Sequence, residues 1–153
     1  MSTNLYTPEQ RVRRDETVWT VVQGVLAPLQ FLVFLISLAL VVRYLATGEG
    51  YVETSLSILA KTACLLLIMV TGAIWEKQVF GQYLFAPAFF WEDVVSFGVI
   101  ALHCLYVVLL FTGQTQPITE MIVALLAYAA YLINAGQFLW KLRIARLQAE
   151  VAP

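Results

Sequence analysis

Charge is what this sequence has least of. Only 12% of its 153 residues are Asp, Glu, Lys or Arg, where a soluble domain carries about a quarter. With 61% hydrophobic residues, the chain is too apolar for a core wrapped in a polar surface, and a membrane protein is the class that fits. The formal net charge is −1, so no overall field points to nucleic acid. Cysteine is nearly absent. Cys64 and Cys104 lie in apolar runs without CxxC spacing, which gives neither a zinc site nor a redox motif; they read as small buried packing residues. His103 is the single histidine, and without nearby acidic or thiol ligands it does not make a protein-bound metal site. No hydride-carrier motif, phosphate loop, nucleophile triad or haem ligand pair is visible. There is no internal repeat and no low-complexity tract.

What the chain does have is four apolar stretches. They predict an all-α, polytopic membrane protein with transmembrane helices over 17–46, 53–76, 91–112 and 118–142, each near the roughly 20 residues that span a bilayer. Such helices satisfy their own backbone polar groups, which lipid cannot do. The turns TGEG (47–50) and TGQTQP (112–117) are short, so neighbouring helices run antiparallel, and one up-down four-helix bundle over 1–153 is expected. The polar start MSTNLYTPEQRVRRDE, residues 1–16, is not a cleavable signal. Residues 143–153 read as a tail. Arg11, Arg13, Arg14, Lys77, Lys141, Arg143 and Arg146 collect at one end of the bundle. The positive-inside rule therefore puts both termini and the 77–90 connection in the cytoplasm.

Several polar residues interrupt the apolar helices. Pro28 removes a backbone donor in the first helix and bends it unless a neighbour compensates. Gln23 and Gln30 share a face there, either as interhelical glue or as part of a site. Lys61 is expected to snorkel to the interface along its methylene stem, the alternative being a buried partner for a carboxylate. Glu92, Ser96, Val99 and His103 fall on one stripe of the third helix, long enough to bound a pocket. His103 could ligate a metal within a pigment, move a proton, or hydrogen-bond a neighbouring helix. Tyr128, Tyr131, Asn134 and Gln137 line the fourth helix, with the amides read as glue or as ligand contacts.

The connection between the second and third helices stands apart. WEKQVFGQYLFAPAFFWEDV, from Trp75 to Val94, sets Glu76, Glu92, Asp93 and Lys77 among seven aromatic side chains. Carboxylates that complement a helix N-terminus and an aromatic interface belt account for part of it. Yet QVFGQYLFAPAFF is too apolar for a solvent loop, and Gly81, Ala86, Pro87 and Ala88 let it fold across the mouth of the bundle as an interfacial lid. Such a lid suits a flat apolar ligand. A carboxyl group beneath it is poorly solvated, which favours its neutral form, while a better-hydrated neighbour stays ionised. Carboxyl groups in unlike surroundings suit acid–base chemistry on a membrane-soluble substrate.

LYTPEQRVRRD (5–15), VLAPLQFLVFLISLALVVRYLATGEG (25–50), MVTGAIWEKQVFGQYLFAPAFFWEDVVSFGVIALH (69–103) and NAGQFLWKLRIARLQ (134–148) together resemble the 3-vinyl (bacterio)chlorophyllide hydratases of phototrophic bacteria. The resemblance covers nearly the whole chain. It implies a hydro-lyase of bacteriochlorophyll biosynthesis that adds water to the C3 vinyl group of chlorophyllide a or a related pigment, giving a 1-hydroxyethyl group. It implies a multi-pass protein of the inner, intracytoplasmic photosynthetic membrane. It implies no cofactor beyond the magnesium the substrate carries. Its partners would be the pigment, the bilayer, and a second copy or other pigment-biosynthesis enzymes. On this reading Glu92 or Glu76 is the acid and Asp93 activates water. Trp75, Tyr83, Phe89, Phe90, Trp91, Asn134 and Gln137 contact the substrate, Lys77 or a flanking arginine pairs with its propionate, and His103 is an axial ligand to its magnesium or a hydrogen-bond donor to the macrocycle. The competing readings are a non-catalytic pigment carrier or assembly factor, and a small proton-coupled transporter.

Overall fold

Thr7 begins the first element. Its hydroxyl accepts from the Gln10 N–H (3.2 Å) while the Gln10 side chain accepts from the Thr7 N–H (2.9 Å), a reciprocal cap that starts a helix. Pro8 fits the first helical position, where its missing N–H costs nothing. The computed structural model describes residues 4–151, and within 1–16, read from the sequence only as a polar segment, it places helix α1 (Pro8–Glu16). The other elements are α2 (Val18–Thr47), α3 (Tyr51–Phe80), a 3₁₀ turn (Pro87–Phe89), α4 (Phe90–Thr112) and α5 (Pro117–Val151). Among the described residues there is no strand.

Four of these helices are long and apolar enough to cross a membrane. Residues 47–50 join α2 and α3 into one antiparallel hairpin, and residues 112–117 join α4 and α5 into another. Helix α2 runs unbroken through Pro28. The hairpins meet around a core that includes Phe34, Ile58, Leu65, Val99, Tyr106, Ala124 and Tyr128. Interhelical polar contacts lie inside it: Ser37 bonds both Ser57 (2.8 Å) and Tyr128 (2.6 Å), and the Gln23 amide donates to Thr71 (2.7 Å). The Gln23 contact is the gluing role, worth about 0.6 kcal/mol per bond in a bilayer protein. Leu32, Ile36, Phe111, Ile133 and Leu139 face outward, as a lipid-facing surface requires.

A second apolar cluster sits at one end of the bundle. Tyr6, Val79, Phe89 and Ala145 are buried there. It explains two helix ends that the sequence reading set differently. Helix α3 continues past residue 76 because Val79 is completely buried in this cluster, and it stops at Gly81, whose φ of 84° is left-handed. Helix α5 continues through most of the supposed 143–153 tail. Lys141, Ile144, Ala145 and Gln148 share one face at helical spacing, and the N-terminal segment packs on it: the Leu5 N–H donates to Gln148 Oε1 (2.8 Å).

Two expectations fail. Lys61 does not snorkel. It is fully buried, its Nζ lies 3.7 Å from the centroid of the Tyr131 ring, and it has no hydrogen-bond partner among the described residues. The rotation of α3 turns this position into the bundle, where a cation–π contact is its partner. Cys104 is not a buried packing residue but is exposed on the outer face, while Cys64 is half-buried.

Candidate active site

The end of α3, the connection 81–86 and the start of α4 bring carboxyl groups from two helices under one turn of chain. Glu76, Glu92 and Asp93 are all buried, at 4, 5 and 3% exposure. The Phe85 N–H donates to Asp93 Oδ2 (2.9 Å), and the next N–H, that of Ala86, donates to Glu76 Oε2 (3.3 Å). Phe85 adopts φ 60°, a left-handed conformation that costs a bulky residue roughly 1–2 kcal/mol. That conformation turns successive N–H groups toward one anionic place. Strain held by the contacts around it is common where a site needs a particular backbone shape.

Glu92 is held differently. Its carboxylate lies 3.6 Å from Lys141 Nζ of α5, and the same ammonium donates to the Ala88 carbonyl (2.7 Å). The Glu92 backbone carbonyl accepts from Asn134 Nδ2 (3.0 Å) and from Ser96 Oγ (2.8 Å). Asn134 also contacts Gln137 (3.2 Å). Asn134 thus braces the first turn of α4, Gln137 accepts from the Asn134 amide, and Ser96 shares the network through Asn134 Oδ1 (2.9 Å).

The aromatic residues divide into two sets. Trp75, Phe80 and Phe89 pack edge-to-face with centroids 5.5–5.8 Å apart. Tyr6 stacks on Phe80 at 5.7 Å, and Phe138 stacks on Phe89 at 6.0 Å. The Trp75 indole N–H reaches Thr20 Oγ1 (2.9 Å). Burial pushes the Tyr6 phenol upward from its ordinary range, with Arg14 pulling the other way; the Arg14 guanidinium sits 4.7 Å from the ring centroid. The second set is exposed: Tyr83, Phe90 and Trp91 lie outside, with Phe85 bridging Phe90 (5.7 Å) and Phe97 (5.5 Å). Lys77 is exposed, caps the end of α3 through the Gly81 carbonyl (2.9 Å) and lies over Tyr83 (5.5 Å).

His103 is not with the carboxyl groups. Eleven residues of α4 separate it from Glu92, a rise of about 16 Å. It is buried at 1% exposure beside Tyr128, ring to ring 5.8 Å. Its Nδ1 faces the Val99 carbonyl at 2.8 Å, so Nδ1 carries the proton and donates. Its Nε2 has no partner among the described residues. Among those residues no group of three His, Cys, Asp or Glu side chains could hold a metal ion. The structure thus joins Glu76, Asp93, Glu92, Trp75, Phe89 and Asn134 around one end of the bundle, and leaves His103 in the closed core. Sequence reasoning took Lys141 only as a marker of membrane orientation. The signal was there: Asn134, Phe138 and Lys141 recur at helical spacing on the face that meets α4.

The sequence of the chain from residue 6 to residue 144 matches the family model described as 2-vinyl bacteriochlorophyllide hydratase. A protein of that name from Cereibacter sphaeroides is 72% identical over 148 residues, covering 97% of this chain and 92% of its own length. Another from Rhodobacter capsulatus is 70% identical over 145 residues, covering 95% and 84%. No solved structure matches the chain. A match that takes in both helical hairpins, the acidic turn and its aromatic packing leaves one assignment: this chain belongs to the 2-vinyl bacteriochlorophyllide hydratase family.

Proposed function

We propose that this protein hydrates the vinyl group of a bacteriochlorophyllide or chlorophyllide, and that Glu76 and Asp93 are its acid–base pair. The names of its relatives support the reaction. The observation that carries the residue assignment is the convergence of two buried carboxyl groups on consecutive backbone N–H donors. Two such groups in one poorly hydrated place hold a single proton between them more readily than two charges.

The reaction is redox-neutral and needs no redox cofactor. The shared proton passes to the terminal vinyl carbon, forming a C–H bond and breaking the alkene π bond. Positive character develops on the carbon beside the ring, where the conjugated macrocycle spreads it. Water attacks that carbon, and the carboxylate left by the first step takes the proton from the attacking water. The pair returns to its starting state, and the product carries a 1-hydroxyethyl group. Glu92, anchored by Lys141, is the fixed negative charge that favours the cationic intermediate. The aromatic cluster keeps bulk water from the acid.

Phe85, Phe90 and Trp91 on the outer face give the macrocycle a route in from the membrane. The basic residues at this end support a cytoplasmic orientation for it, and the photosynthetic membrane is where the substrate would partition. Expressed full-length protein in membranes, given the vinyl pigment, is expected to yield hydroxyethyl product by chromatography. Recovery of bound but unchanged pigment would instead favour a carrier.

A further inference from the structure

Beside the acidic turn lies a groove of about 460 Å³ between the N-terminal segment, the end of α3, the 3₁₀ turn and α5. Its apolar walls include Leu5, Phe80 and Ile144. Lys141 is the one charged residue among those lining it, and no acidic residue lines it. An ammonium has three donors. Lys141 directs two toward Ala88 and Glu92, and its side chain remains 25% exposed, leaving the third for a group in the groove. Gln10 and Gln148 add to this. Each gives its amide oxygen to a backbone N–H, from Thr7 and Leu5, which leaves its NH₂ as a donor. The groove therefore combines apolar walls with donors and a cation, the complement of an apolar molecule that ends in a carboxylate.

We propose that this groove receives the carboxylate-bearing edge of the pigment, with Lys141 as its counter-ion and Gln10 and Gln148 as donors. This rests on the hydratase reading above. It replaces Lys77, which is not among the residues lining the groove. A ligand fixed at Lys141 lies against Pro87 and Ala88, immediately after the Ala86 N–H that binds Glu76. Anchoring the acidic edge there sets the register of the ring against the carboxyl pair, and it makes the enzyme selective for the free acid over an esterified pigment.

The test compares the free acid and the methyl ester of the vinyl pigment by absorbance titration of the full-length protein in neutral detergent. The wild-type protein is expected to bind the acid about tenfold or more tightly than the ester, as a charge-assisted contact would give. Lys141→Met is expected to bring the two to parity, and Lys141→Arg to keep the preference. Gln148→Glu retains the acceptor for Leu5 and adds repulsion, so it is expected to weaken the acid and leave the ester unchanged; Lys77→Met is expected to keep the wild-type ratio. Equal binding by the wild-type protein, or an undiminished preference in Lys141→Met, overturns the proposal. So does phosphatidylglycerol in the micelle if it displaces acid and ester alike, since the groove would then belong to a lipid headgroup. A preference that vanishes with Lys141 while no pigment is ever hydrated leaves the groove standing and removes the hydratase reading instead.

Discussion

Glu76, near the end of one membrane-crossing helix, and Asp93, near the start of the next, accept hydrogen bonds from neighbouring backbone N–H groups of the turn between them. The relationship ties the chemistry to the fold. The turn cannot move without releasing both carboxyl groups, and neither helix can rotate without emptying one of the two positions. Glu76→Gln and Asp93→Asn keep the size of each side chain but remove an ionisable group. Each is expected to lower vinyl hydration by about 10²–10⁴-fold, the usual contribution of a positioned acid or base, with pigment binding retained. Product formation in membranes, normalised to bound pigment, measures it. Full activity in both variants would remove the pair from the mechanism.

Glu92 is expected to behave unlike its neighbour. It faces the ammonium of Lys141 and is proposed to act through its charge, not by proton transfer. Glu92→Gln is expected to cost about tenfold in kcat, well short of the loss in Asp93→Asn. A loss as deep as that of Asp93→Asn would make Glu92 the proton donor.

Asn134 braces the same turn from α5 through the Glu92 carbonyl and Ser96. Asn134→Leu leaves those buried groups short of partners, which costs about 1–3 kcal/mol. The expected outcome is a lower thermal midpoint in detergent together with a reduced kcat, while Asn134→Gln recovers part of both.

The Lys61 amine lies in the closed core, 3.7 Å from the centroid of the Tyr131 ring and without a hydrogen-bond partner among the described residues. A buried polar group without a hydrogen bond costs about 1–3 kcal/mol, which an apolar side chain of similar length does not incur. Lys61→Met is therefore expected to raise the thermal midpoint. A fall would mean that the amine makes a contact in the membrane-embedded protein that offsets its burial.

Gly81 ends α3 at φ 84° with open space where a Cβ would be, so only the backbone conformation resists a side chain. Gly81→Ala is expected to destabilise the protein by about 1–2 kcal/mol and to loosen the turn that holds Glu76 and Asp93. Proteolytic nicking between α3 and α4 would report that loosening.

The stretch from Trp75 to Asp93 stands out in the sequence because its charge and its rings are both out of place in so apolar a chain. That contrast is a local property, and it suffices to find the acidic turn. It does not say which carboxyl groups meet. The sequence leaves Glu92 and Glu76 open as partners of Asp93; in the structure Asp93 and Glu76 turn to the successive N–H groups of Phe85 and Ala86, and Glu92 to Lys141. Phe80 and Phe89, in the same run as exposed Phe90 and Trp91, are drawn inward by Tyr6, a residue far away along the chain.

By itself the sequence determined the four apolar helices, their pairing through short turns and the family of the chain. Each of these follows from composition, helical periodicity or long identical runs, which are read along the chain. Only the tertiary structure decided that Lys61 points inward, that Tyr6 and α5 close over Phe89, and that Lys141 joins Glu92. Those outcomes depend on how far each helix is rotated and slid against its neighbours, and that setting is the sum of many weak packing contacts between residues distant in sequence.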